Sequence, residues 1–109
     1  MEGINSIKAA VLREMGLADL APKLADYKVA GELPDLKLGA YVRWVHVDRG
    51  KLTNGAHLVS VNLNEDGIYL NVRGAGRFFT LKFDECIVFQ KLTTDERIVL
   101  QAMDLANRN

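Results

Sequence analysis

His57-Leu58-Val59-Ser60-Val61-Asn62-Leu63-Asn64, a turn at Glu65-Asp66-Gly67, and then Ile68-Tyr69-Leu70-Asn71-Val72-Arg73 read as two strands of one hairpin. Gly74-Ala75-Gly76 turns the chain again into Arg77-Phe78-Phe79-Thr80-Leu81-Lys82-Phe83. Each run alternates with period two, the strand signature. Val59, Val61 and Leu63 oppose Leu58, Ser60 and Asn62; Leu70 and Val72 oppose Asn71 and Arg73; Phe79 and Leu81 oppose Phe78 and Thr80. Asp66-Gly67 tolerates the positive φ that a tight hairpin demands. Working outward, Tyr41-Val42-Arg43-Trp44-Val45-His46-Val47 is β-branched and aromatic, as strands prefer, and Cys86-Ile87-Val88-Phe89 is a short apolar run. Five strands with no helix among them, between Lys37 and Leu92, suit a small, strongly bent antiparallel sheet or barrel. Alternation assigns its core to Val42, Trp44, Val59, Val61, Leu70, Phe79, Leu81, Phe83 and Phe89.

Both flanks read as helical. Ile4, Ile7, Val11, Leu12 and Met15 recur at helical spacing, with Lys8, Arg13 and Glu14 on the other side. Asn5 or Ser6 can cap the start and Gly16 the stop. Pro22 lacks a backbone donor, which suits the first residue of a second short helix, Pro22 to Tyr27. Ala30-Gly31-Glu32-Leu33-Pro34-Asp35 is a loop rich in breakers. At the other end Thr93-Thr94-Asp95-Glu96 carries the capping-box pattern ahead of a helix from Thr94 to about Asn107. Its apolar residues Ile98, Val99, Ala102, Met103, Leu105 and Ala106 span more than a narrow seam, and Leu100 lies off that stripe, near solvent. The expected fold class is α+β, mainly β: a helical extension over 1–36, a five-stranded antiparallel barrel over 37–92 and a C-terminal helix over 93–109, all in one domain.

Composition narrows the function. With 14 basic and 14 acidic residues the net charge is zero, which disfavours a protein whose main task is gripping duplex nucleic acid. Cys86 is the only cysteine, which excludes an internal disulfide and a cysteine-rich zinc site. No apolar run is long enough for a membrane span, and the N-terminus lacks the grading of a signal peptide. The expected setting is intracellular (cytoplasmic), or a virion assembled there.

Leu38-Gly39-Ala40-Tyr41-Val42-Arg43-Trp44-Val45, Gly55-Ala56 opening a strand, Phe78-Phe79-Thr80-Leu81 and Val88-Phe89-Gln90-Lys91 together resemble small SH3-like β-barrel domains. In particular they resemble short proteins of nucleocytoplasmic large DNA viruses. The likeness covers about half the chain and departs from the pattern at Ala56, where a second glycine is missing, and in both helical flanks. It implies a barrel of the SH3-like type and a binding module, not a reaction.

Several constellations bear on chemistry. His46, Asp48 and His57 lack a fourth ligand for a closed metal site. Cys86 follows Asp84 and Glu85, whose charges disfavour a thiolate, so a core cysteine is the simpler assignment. Arg73-Gly74-Ala75-Gly76-Arg77 lies between two strands rather than before a helix, so its glycines are turn residues and not a phosphate cradle. Tyr41, Arg43, Tyr69, Arg73 and Arg77, joined by Arg49 and Lys51 in a loop, offer an outward aromatic and basic sheet face that suits protein partners or single-stranded nucleic acid. Leu100 and Met103 are contact candidates on the last helix. The sequence thus points to a non-enzymatic, cofactor-free interaction or assembly module, a structural component or small subunit of a larger (viral) complex, with a protein partner or a second copy. The alternative is a nucleic-acid-binding or transcription-associated barrel.

Overall fold

The computed structural model describes residues 3–107. Helix α1 (Ile4–Glu14) and a 3-10 segment (Ala18–Leu24) precede strands β1 (Tyr27–Val29), β2 (Tyr41–His46), β3 (Ala56–Asn64), β4 (Gly67–Gly74), β5 (Arg77–Lys82) and β6 (Cys86–Lys91), and helix α2 (Thr94–Asn107) closes the order. The strands form one antiparallel sheet in the order β1-β6-β2-β3-β4-β5. The expected closed, five-stranded SH3-like barrel is therefore corrected. The sheet is open and six-stranded, with β1 and β5 at opposite ends. A ring closed from the five expected strands would need β6 to meet β5, but β6 lies between β1 and β2. The unexpected strand, β1, occupies Tyr27–Val29, where a second helix was expected to end. Pro22 sits inside the 3-10 segment rather than opening an α-helix.

The sheet carries a core on each face, the second only over β1, β6 and β2. On one lie Ala30, Val42, Ala56, Leu58, Leu70, Val72, Leu81 and Val88, with Trp44, Val61 and Phe83 packed against them. On the other lie Leu12, Leu24, Tyr27, Val45 and Phe89, covered by α1 and the 3-10 segment. Phe89, expected in the first core, belongs to the second, because odd and even residues of β6 face opposite ways. Val59 and Phe79, also expected inside, are 46% and 44% exposed. For Val59 the cause is a β-bulge: Leu58 pairs with Val72 but Ser60 with Asn71, so Val59 is the extra residue. The bulge shifts the alternation, turning both Leu58 and Val61 toward the core. Phe79 faces the core side opposite buried Val72, but it does so on the edge strand.

Helix α1 starts after Gly3, not at Asn5 or Ser6. It ends in a Schellman closure: Gly16 (φ +70°) donates to Arg13 O and Leu17 to Leu12 O. Lys8, expected on the polar side, is buried at 6% exposure. Its Nζ donates to Leu24 O at 2.7 Å and Tyr27 O at 2.9 Å, holding the ends of the 3-10 segment and β1 under α1. Buried Gln90 tethers the long loop in the same way. It accepts from Lys37 N at 2.9 Å and donates to Asp35 O at 3.1 Å. Among the described residues no helix is long and apolar enough to cross a membrane.

Candidate functional site

The structure separates the aromatic and basic residues that the sequence grouped. Odd residues of β2 face the α1 side of the sheet, so Arg43 is half-buried there rather than presented to solvent. Its Nε donates to Thr53 O at 2.8 Å and its Nη1 to Lys23 O at 3.3 Å, so the guanidinium ties loop to sheet. Tyr41 packs on the same core, and its hydroxyl donates to Asn54 O at 3.1 Å. Gly55 beneath it takes φ +105°, and a Cβ there would lie 2.6 Å from the Tyr41 ring, so only glycine fits.

Arg77, paired with Gly74 and in phase with Phe79 and Leu81, opens β5 on the core-side face. Tyr69 and Arg73 do share a surface, the opposite, outer face of β3, β4 and β5. Its side chains stand in cross-strand rows. Tyr41, His57, Arg73 and Phe78 are successive partners across four strands. The Tyr41 and His57 rings meet edge-on at 5.1 Å, and the Arg73 guanidinium lies 5.4 Å from the Phe78 ring centroid, a cation–π contact. In the next row Asn71 Nδ2 donates to Ser60 Oγ at 2.9 Å and Thr80 Oγ1 to Asn71 Oδ1 at 2.8 Å. Asn62, Tyr69 and Lys82 make a third. Arg77 stands at the hairpin end, where Ala75 and Gly76 take φ of +51° and +74° in a two-residue turn. Phe78, which the sequence reading left out, is the most exposed aromatic of this face at 68%. Its signal was the doubled Phe78-Phe79, which forces one ring onto each side of a strand.

Helix α2 supplies the second candidate surface. Thr93 and Glu96 cap it reciprocally, Thr93 N donating to Glu96 Oε1 at 3.0 Å and Glu96 N to Thr93 Oγ1 at 3.1 Å. Its first turn is held to the β1 side by ion pairs of Glu96 with Lys28 and of Arg97 with Asp26. Burial pushes the Glu96 carboxyl up, but hydrogen bonds from Lys28 and Thr93 outweigh it and hold the group below its usual range. Leu100, expected near solvent, is instead half-buried. With Met103 it lines a groove of about 320 Å³ against Gly3 and Ile4. Val99 also lines this groove, although it is exposed, and the opposite side of α2 is bare: Ile98 is 57% and Leu105 63% exposed.

The other constellations are dispersed. Residues 42, 44 and 46 of β2 share one face, whereas His57 pairs with Tyr41 on the other, so His46 and His57 do not converge. His46 Nε2 meets Glu85 Oε2 at 3.3 Å, and its Nδ1 accepts from Asp48 N at 3.2 Å. Among the described residues no three His, Cys, Asp or Glu side chains cluster as a metal ion requires. Cys86 is half-buried, and burial, followed by the Glu85 carboxylate, pushes its thiol up. A groove of about 490 Å³ runs between α1 and β1, lined by Ile4, Ile7, Val11 and Val29 with Glu32 and Asp35 at its rim. No family model, curated protein or solved structure matches the chain.

Proposed function

We propose that this protein is a non-enzymatic interaction module, a small subunit that assembles with other protein. The observation that carries this reading is the bare apolar side of α2. A helix of this length is marginal alone in water and is held by what it packs against. Here Glu96, Arg97 and Leu100 anchor one side, while Ile98 and Leu105 face outward. Contiguous exposed apolar surface of this kind is typical of a contact site. The test uses the full chain with Ile98→Glu and Leu105→Glu together, because exposed substitutions leave the fold's stability nearly unchanged. Sedimentation and the identified set of co-purifying proteins should both change relative to wild type. Identical results for the two proteins would sink the reading.

A second reading is favoured by the row of Arg73 and Phe78 beside Tyr69 and Lys82 on the outer sheet face: a platform for single-stranded nucleic acid, with rings for bases and cations for phosphates. Arg73→Ala with Lys82→Ala should then lower retention on a single-stranded oligonucleotide and flatten its salt dependence. Absence of salt-sensitive retention in the wild type rejects it. The zero net charge places it second.

A further inference from the structure

Every open sheet has two edges, and this one treats them differently. At the β1 edge the strand is short, and the carbonyl of Tyr27 is occupied by the buried Lys8 ammonium. The β5 edge is longer, and among the described residues no side chain guards it in this way. Its sequence, Arg77-Phe78-Phe79-Thr80-Leu81-Lys82, carries charge only at its ends and no proline. Natural sheets usually blunt such an edge with charge, proline or cover, because its unpaired backbone groups are a template for another strand.

The hairpin geometry identifies which groups are unpaired. Gly74 and Arg77 flank a two-residue turn and so form a hydrogen-bonded pair. Bonded and non-bonded pairs then alternate, so Val72 with Phe79 is bonded and Arg73 with Phe78 and Asn71 with Thr80 are not. The N–H and C=O of Phe78 and Thr80 therefore aim away from β4, at the open edge.

We infer that β5 pairs antiparallel with β5 of a second copy about a two-fold axis at Phe79, joining two sheets into one. In that register Phe78 of each copy exchanges hydrogen bonds with Thr80 of the other, matching free donors to free acceptors. Phe79 meets Phe79 on the core side, which covers the half-exposed ring at the end of the core. Arg77 falls opposite Leu81, so no like charges face each other. A shift by one residue would set Arg77 against Lys82 and would also aim the bonding groups of one strand at the non-bonding residues of the other. The zero net charge means that two copies do not repel over long range. The strand is thus complementary to itself, which is what a two-fold interface requires. This inference deepens the interaction reading by naming a partner, and it rests on a surface separate from α2.

The experiment measures self-association of the full chain by sedimentation equilibrium, comparing wild type with Thr80→Pro. Proline removes the outward N–H without touching a backbone bond to β4, losing there only the exposed side-chain bond from Thr80 Oγ1 to Asn71, and edge strands accept it. Wild type should dimerise, and Thr80→Pro should weaken the dimer by at least about tenfold while keeping the wild-type circular dichroism. A second measurement does not depend on proline. In a Cys86→Ala background, Phe79→Cys should cross-link two copies under mild oxidation, since facing residues of a non-bonded pair lie about 4.5 Å apart at Cα, within disulfide range. Asn62→Cys, exposed on β3, should not. A monomeric wild type, a dimer indifferent to Thr80→Pro, or cross-linking at Asn62 as fast as at Phe79 overturns the inference. A dimer lost only in the α2 variant overturns it too, while leaving the interaction reading intact.

Discussion

Lys8 shows how a single residue can serve the backbone rather than the solvent. Its ammonium sits under α1 between the carbonyls of Leu24 and Tyr27, which would otherwise lack a donor inside the molecule. Burial lowers its pKa, and the Asp26 carboxylate opposes that shift without cancelling it. Lys8→Met keeps the length and loses the donor, so unfolding should show a loss of about 1–3 kcal/mol from the orphaned carbonyls. The pH dependence has a definite sign. A lysine whose folded pKa is depressed binds fewer protons folded than unfolded in the window between the two values. Stability therefore rises with pH across that alkaline window. The Lys8→Met variant should lack this rise; an identical alkaline slope in both proteins would show that Lys8 is not buried as described.

Helix α2 joins the body through its first turn, and Glu96 holds the cap and the Lys28 ion pair at once. Because its folded pKa lies below the unfolded value, Glu96 contributes stability that is present above the usual carboxylate range and lost as pH falls through the lowered value. The helix signal should therefore fall on acidification with wild-type protein and vary less with Glu96→Gln. Thr93→Ala, which removes the cap oxygen, should cost about 1 kcal/mol. If the acid limb is unchanged in Glu96→Gln, the anchoring of α2 lies elsewhere.

At the scale of the molecule, one sheet carries two cores. β6 contributes Val88 to one and Phe89 to the other, and β2 contributes Val42 and Val45 in the same way. Two cores sharing the same strands cannot melt independently. Leu70→Ala and Leu24→Ala, one on each face, should each cost about 2–5 kcal/mol. Both variants should still unfold in a single transition by fluorescence and circular dichroism. Two separated transitions would mean that the layer of α1 and the 3-10 segment is a separate unit.

Local pattern was enough to place the strands from Tyr41 to Phe89, the turns at Asp66-Gly67 and Gly74-Ala75-Gly76, and α2 from its Thr93–Glu96 cap, because each is written in residues close together in the chain. The exposure of Arg73 and Arg77 was legible for the same reason, whereas Tyr69 is half-buried and Arg77 opens β5 on the other face. Three matters were decided only by tertiary structure. Strand β1 has too few residues to show a period and exists because β6 offers it an edge. The bulge at Val59 leaves no mark in the alternating sequence, yet it reverses which side chains are buried beyond it. Arg43 and Lys8 look like surface charges until the chain brings carbonyls from 20 and 16 residues away to meet them. Whether the sheet closes or stays open was decided at that same level. It depends on which edges meet in space, and a strand's own pattern specifies its two faces but not its neighbours.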